Sequence, residues 1–427
     1  MDYNRMREDR GPNNIIPRDI IESDSIRRDF PVTHRKVYMN SGAIAPTPLS
    51  TIKTITDFLV KSSEEGPGST IISESVTSLM KELRTRITHL INCEPEEVVF
   101  TQSTTEGLNY VSTGINWSRK TNDSIIVRGG PHEHYANYLP WLQVSKKKGV
   151  KLHELKIDEN GYFELDELET LLKSANNASY RGSTRLITLS HALYNIGTIM
   201  PVIDVGKIAK KNQALFCIDA AQTVGSICVD VKEIGCDFMA FPAFKWICGP
   251  VGMGIFYCNK KAAEILLPQF IGGESATLSV DEKQKQKKVI TYANSPERFE
   301  AGFRNYSGVA GMESSLRYIL RLGIENIRKK NLRIANVLRE ELAKIPNIKI
   351  HGPEDEKLRT SIVSFSPVSS SSKVDSKTLV NKLEQNEIIF AERDIGTGMK
   401  AVRAAPHFFN TEEEALRAAR YLKDILK

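Results

Sequence analysis

The 427 residues are 41% hydrophobic and 26% charged with a formal net charge of +6, the balance of an ordinary globular chain. That length exceeds what one small core serves, so a larger and a smaller domain are expected. No apolar run approaches the roughly 20 residues that a bilayer requires, and the charged start MDYNRMREDRGPNN offers no apolar stretch for a secretory signal. The expectation is a cytoplasmic protein with no membrane partner. Short basic runs (Lys146–Lys148, and Lys283 to Lys288) read as solvated loops, and no nucleic-acid partner is expected. The six cysteines (Cys93, Cys217, Cys228, Cys236, Cys248 and Cys258) include no C-x-x-C pair, which predicts reduced, buried thiols and no metal site.

The first 35 residues are polar and read as an irregular arm over the surface or over a partner subunit. Helical spacing of apolar residues follows from Ser73 to Ile91, then a short strand at Glu97–Thr101, and a polar break at Gln102–Thr105 that opens another helix. Strand and helix then alternate: strand Ser124–Val127, helix Glu133–Val144, strand Lys151–Leu155, a turn at Asp158–Gly161, and helix Leu165–Ser174. Further along come strand Arg185–Leu189, amphipathic helix Val202–Lys211, and strands Ala214–Ile218, Asp237–Phe241 and Gly252–Tyr257. Strands that are continuously apolar, rather than alternating, predict a mostly parallel sheet covered on both faces.

After Gly308 the texture changes to long helices, Gly308–Leu322 and the basic Ile327–Ile345. A smaller α+β unit follows, with strands at Lys349–Gly352 and Ser361–Phe365, a Ser-rich loop at Ser369–Ser372, helix Ser376–Gln385, strand Ile388–Ala391, and a last helix from Thr411. The expected division is an arm over 1–35, a large domain over 36–310, and a small C-terminal domain over 311–427 packed with part of the N-terminal segment.

In open parallel sheets the chemistry collects at the carboxyl ends of strands. Four polar groups fall there: Asp219, Lys245, the run Ser103-Thr104-Thr105, and His191. Singly, each has a plain structural use: Asp219 as a helix cap, Lys245 as a surface lysine, the threonines as an N-cap. Lys245, however, sits in the apolar run Phe241-Pro-Ala-Phe-Lys-Trp-Ile247. An amine in such a setting forms imines with aldehydes, a carboxylate holds a pyridinium proton, and a hydroxyl-rich helix start accepts a phosphate.

In order along the chain, these groups carry a family resemblance. Tyr38-Met-Asn-Ser-Gly42, Ser103–Asn109, Glu133–Trp141, Ile218–Val224, Lys245–Gly252, Arg298–Gly302 and Arg403 to Glu414 resemble the class V aminotransferases of pyridoxal 5'-phosphate (PLP) fold type I. The nearest branch holds the cysteine desulfurases, isopenicillin N epimerase and the cyst(e)ine C–S lyases. The resemblance implies an α/β fold, with a mostly parallel, seven-stranded-type sheet between helices and a small C-terminal α+β domain. It also implies a homodimer that binds PLP and takes a small amino acid.

It further implies Lys245 as the Schiff-base lysine, Asp219 against the pyridine nitrogen, Gln222 near the ring oxygen and His134 stacked on the ring, with His134 and Lys245 catalytic. Thr104 and Thr105 would hold the phosphate, and Arg403 the substrate carboxylate, with Arg393 a second substrate-side arginine.

The sequence departs from the desulfurases in three places. Their Ser-x-His-Lys reads Pro242-Ala243-Phe244-Lys245 here, which removes two phosphate donors and makes Arg304 the candidate replacement, reaching across the dimer. Between Arg393 and Arg403 there is no cysteine to carry a persulfide. Tyr194-Asn195 stands where an asparagine approaches the ring oxygen. The expected activity is β-elimination that cleaves the C–S bond of a small, sulfur-containing amino acid. Epimerisation, transamination and desulfuration with a displaced or external thiol are the catalytic alternatives, and a non-catalytic scaffold the remote one.

Overall fold

The computed structural model describes residues 24–118, 123–130, 132–175, 184–281, 287–368, 374–396 and 398–426. The Ser-rich loop at Ser369–Ser372, most of the Lys283–Lys288 run and residues 1–23 of the expected arm lie outside them.

Residues 24–35, expected to be irregular, fold into a short helix, Asp24–Arg28, and a 3-10 turn, Pro31–His34. Phe30 explains why: its ring packs 4.7 Å from Phe409, 5.6 Å from Phe408 and 6.0 Å from Tyr318. Arg27 ties the segment down through Glu414 at 2.8 Å and the Phe409 carbonyl.

β1 (Val37–Tyr38) follows. The main sheet is built from β2 (Val98–Thr101), β3 (Ser124–Val127), β4 (Lys151–Glu154), β5 (Thr184–Ser190), β6 (Leu215–Asp219), β7 (Phe238–Pro242) and β8 (Gly254–Cys258). Its strand order is β2-β8-β7-β6-β5-β3-β4. Only β8 runs against its neighbours β2 and β7, while the other pairings are parallel. The carboxyl ends of β2, β3, β5, β6 and β7 therefore face the same edge. Continuous burial along β2, β3, β7 and β8 accords with the apolar runs, because helices cover both faces.

The helix Thr104–Gly114 lies close on this sheet: a Cβ at Gly107 would sit 2.9 Å from Ala240 Cβ. Two local expectations give way. The helix expected over Glu133–Val144 is a 3-10 turn, Tyr135–Asn137, followed by a helix over Leu139–Lys148, because Pro140 is tolerated only in a first turn. The 17-residue helix Leu49–Glu65 and the exposed hairpin β9 (Ala276–Asp281) with β10 (Lys287–Tyr292) were not legible in the sequence pattern.

Ile327 packs in the core around the main sheet, whereas Ile334 joins a second core, so the two cores meet along the helix Ile324–Ala343. The second core packs helices Ser376–Gln385 and Glu412–Ile425 against a four-stranded sheet of β11 (Ile348–His351), β12 (Val363–Pro367), β14 (Ala391–Gly396) and β15 (Met399–Ala404), ordered β11-β12-β15-β14. The strand expected over Ile388–Ala391 is split: β13 (Ile388–Ile389) leaves to pair with β1, and β14 begins at Ala391. Val37 and Met39, from the N-terminal segment, are buried in this second core.

Candidate active site

Five loops leave the shared edge of the main sheet and close around a cavity of about 80 Å³. Ser103-Thr104-Thr105 come from the end of β2, His134 from the loop after β3, Ser190 and Tyr194 from β5 and its loop, Asp219 and Gln222 from β6, and Pro242, Phe244 and Lys245 from β7. Among the described residues His191 does not line it. That side chain turns inward, where burial lowers its pKa to about 4 and Nδ1 has no hydrogen-bond partner.

Lys245 is half-buried, and desolvation lowers its pKa to about 8 against the opposing pull of Asp219, with Arg403 and Arg393 lowering it further. Asp219 ends β6 with its carboxylate inside the protein. Burial raises its pKa, while the Ala221 amide, donating to Oδ1 at 2.9 Å, and Lys245 work the other way. Gln222 is fixed at both ends: its Nε2 donates to the Gly42 carbonyl at 2.9 Å, and its Oε1 accepts from Trp246 Nε1 at 2.9 Å.

Thr104 opens the helix Thr104–Gly114, whose N-cap Ser103 accepts from the Glu106 amide at 3.2 Å. The buried Thr104 Oγ1 has no partner among the described residues. A helix start with an unspent hydroxyl suits an anion.

His134 caps the Tyr135–Asn137 turn by accepting from the Ala136 amide, and its ring meets Tyr194 edge-on at 5.0 Å. Its ring is partly exposed at the mouth of the cavity; desolvation, with Lys245 second, lowers its pKa to about 4. Beneath it the adjacent Glu133 is wholly buried. Glu133 accepts from the Ser190 hydroxyl and amide and from Asn137, and pairs with Arg128 at 3.5 Å. A buried ion pair with this many hydrogen bonds fixes the loop geometry more than it adds stability. The sequence reading missed the roles of Glu133, Arg128 and Ser190, and named Tyr194 only beside Asn195; the apolar strands flanking Arg128 and Ser190 were the available signal.

Arg403, from β15, is 1% exposed. Its guanidinium donates to the Tyr194 carbonyl at 2.6 Å and to Asn40 Oδ1 at 3.0 Å, and its Nε is unpartnered. Burial and the neighbouring Arg393 bring its pKa down to about 9. Arg393 is half-buried on β14.

Asn195 is turned away from the cavity and bonds His132 Nδ1 at 3.2 Å and the Asp394 carbonyl at 2.7 Å. Arg304 stays outside its own chain's cavity. It donates to the Ala301 carbonyl and lies 3.6 Å from the buried carboxylate of Glu300, which Arg84 also grips.

The sequence pattern of the family Aminotransferase class-V matches residues 37–419. This chain belongs to that family. It is 30% identical to the probable cysteine desulfurase of Methanothermobacter thermautotrophicus over 419 residues, covering 95% of this chain and 98% of the other. It is likewise 30% identical to the probable cysteine desulfurase of Pyrococcus abyssi over 411 residues, covering 95% and 98%. Among solved structures, the apo cysteine desulfurase of Thermococcus onnurineus NA1 superposes with a TM-score of 0.84 at 27% identity, over 94% of this chain and 97% of that one. The cystine C–S lyase C-DES, in complex with its product cysteine persulfide, shares the fold at a TM-score of 0.80 and 23% identity, over 92% and 99%. Class V membership accounts for the sheet order and for the convergence of five loops on one edge. No helix among the described residues is long and apolar enough to cross a membrane.

Proposed function

We propose that this class V enzyme uses PLP to cleave the C–S bond of a cysteine-like amino acid by β-elimination. The observation that carries the reading is a half-buried amine of lowered pKa, Lys245, sharing a cavity with the buried carboxylate of Asp219 and the unspent hydroxyl of Thr104. These residues fit the cofactor: an anion end, an acid wall and an imine-forming lysine. Pro242 and Phe244, which line the same cavity, contribute no side-chain donor.

When bound, PLP supplies an aldehyde for imine formation and a ring that accepts the electrons released at the α-carbon. Lys245 holds the cofactor, and its lowered pKa keeps free amine available near neutral pH. With the cofactor and substrate bound, the Lys245 Nζ would be placed to take the α-proton as general base. Asp219 would keep a pyridine nitrogen protonated, and His134 would offer its ring as a wall for the cofactor. Thr104, Thr105 and the helix start would bind the phosphate, and Gln222, its amide held by Gly42 and Trp246, would serve the ring oxygen. Arg403 grips the substrate carboxylate, a planar two-point contact that a guanidinium makes well.

The loop between Arg393 and Arg403 contains no cysteine. Elimination, with sulfide leaving directly, accords with that loop better than transfer to a protein thiol. A homodimer belongs to the same reading. It is supported by exposed apolar side chains such as Phe303, Phe270, Leu278 and Ile290, which a second copy would cover.

The test is direct. Borohydride reduction of the yellow holoenzyme followed by peptide mapping should find pyridoxyl-lysine in the peptide Phe241–Ile247. Turnover of cysteine or cystine should give pyruvate with the sulfur product. Alanine in place of pyruvate would establish desulfuration instead, and a label on another lysine would overturn the assignment of Lys245.

A further inference from the structure

We infer that His407 is a positioning residue: through Trp246 it fixes which end of the Gln222 amide faces the cofactor cavity. This rests on PLP occupying that cavity and goes beyond it, because neither His407 nor Trp246 is among the residues that line it.

Each link in the chain of contacts admits one assignment. Trp246 Nε1 can only donate, and the Gly42 carbonyl can only accept. Lying 2.9 Å from each, the Gln222 side chain must turn Oε1 to the indole and Nε2 to the carbonyl. One N–H of Nε2 is spent on Gly42. The other takes no partner among the described residues, on a side chain that lines the cavity. With the amide reversed, N–H would face N–H and oxygen would face oxygen. Trp246 thereby decides that the cavity meets a donor here and not an acceptor.

Trp246 is in turn held by the segment that follows β15. The wholly buried indole packs with Ile362 and Ala405, and the His407 ring meets it edge-on at 5.1 Å. His407 Nε2 lies 3.1 Å from the Trp246 carbonyl. Burial lowers the pKa of His407 to about 3, so its ring carries one proton, and a carbonyl partner places that proton on Nε2. Nδ1 is then the acceptor, which accords with Asn331 Nδ2 at 3.1 Å. Asn331, His407, Trp246 and Gln222 are each 2% exposed or less, so water does not replace a lost link. The same segment reaches the other partner of Gln222. Ala405 bridges to Asn40, and a Cβ on Gly42 would sit 3.2 Å from that of Ala405. An apolar ring at 407 would fill this core equally well; the imidazole adds direction.

The experiment follows the visible band of the holoenzyme against pH in wild type, Trp246→Phe, Gln222→Met, the double variant, His407→Leu and His407→Gln. The charged groups that bear on the same band, Lys245, Asp219, Arg403 and Arg393, are untouched by these variants. The cofactor's ring oxygen bears its fullest negative charge once the site has lost its proton, so a donor there favours the proton-free form. Trp246→Phe keeps a ring and loses the N–H, and should move the change in colour to higher pH by roughly one unit or more, the effect of one hydrogen bond to a charged group. Gln222→Met should move it as far, and the double variant no further. His407→Leu should move it the same way, whereas His407→Gln, which can still donate to the Trp246 carbonyl, should hold the wild-type profile. A Trp246→Phe band that matches wild type in position and pH profile would overturn the inference. So would an equal added shift from Trp246→Phe in the Gln222→Met background, or His407→Gln behaving as His407→Leu. Should His407→Leu fail to fold, Trp246→Phe, the double variant and His407→Gln decide the question. A wild type with no visible band after addition of PLP would sink the cofactor reading itself.

Discussion

Replacing Arg403 by methionine separates what the site costs the fold from what it does for the substrate. The guanidinium is almost wholly buried, with two neutral acceptors, one unpartnered nitrogen and a neighbouring cation. Methionine has similar bulk and no charge to desolvate. Replacing buried charge with apolar side chains of like volume is often neutral or stabilising, by about 1–4 kcal/mol. Against this, the Tyr194 carbonyl and Asn40 each lose a donor, at about 1 kcal/mol apiece. The free energy of unfolding of the free protein should therefore stay within about 2 kcal/mol of wild type. Catalysis should fall. Loss of a buried carboxylate contact costs about 2–5 kcal/mol, a fall in kcat/KM of roughly thirty-fold to several thousand-fold. Urea unfolding monitored by circular dichroism, together with steady-state pyruvate release from cysteine, measures both. A variant that keeps kcat/KM within about three-fold of wild type, or one that unfolds more easily by more than about 2 kcal/mol, would refute this account of Arg403.

Thr104→Val should leave the stability of the cofactor-free protein unchanged, since that hydroxyl has no partner to lose, yet weaken PLP about ten-fold or more, as titration of apoenzyme would read. Arg304→Ala should weaken PLP to a similar degree if a second copy supplies that donor, whereas an unchanged dissociation constant would assign Arg304 wholly to Glu300. Burial brings the pKa of His191 to about 4 and of His407 to about 3, both below the 6.5 of a free imidazole. Between those values the unfolded chain binds protons that the folded one refuses. Their contribution to stability is whole above pH 6.5 and is lost as pH falls toward 4, at up to about 1.4 kcal/mol per pH unit for each group. Urea unfolding at pH 7 and pH 5 should show this decline, and His407→Leu should make it shallower; an equal slope in the variant would count against His407 as a source.

Much of the fold was legible because burial on both faces leaves a plain mark. Continuous apolar runs ending in a polar residue gave β5, β6 and β7 to within a residue or two. The helix Val202–Lys211 followed from its periodicity alone. What failed was local competition. Pro140 shortened a helix, and the strand at 388–391 divided because its first half pairs with β1, some 350 positions away in sequence. The site followed the same rule. Lys245, Asp219 and Thr104 stand at the ends of strands the sequence displays, so their convergence could be foreseen. Glu133 has no such signature, because only three-dimensional burial distinguishes it from a surface charge.

The sequence by itself determined the order of strands and helices, the motifs of the class V family, and the absence of a cysteine between Arg393 and Arg403. Tertiary structure alone decided that His191 turns inward while Tyr194 lines the cavity, and that Arg304 rests on Glu300. It also decided that Arg393 and Arg403 share one face of a hairpin. The physical reason is range. Periodicity and turn chemistry act over a few residues, whereas desolvation and charge pairing depend on neighbours that only the folded chain brings together.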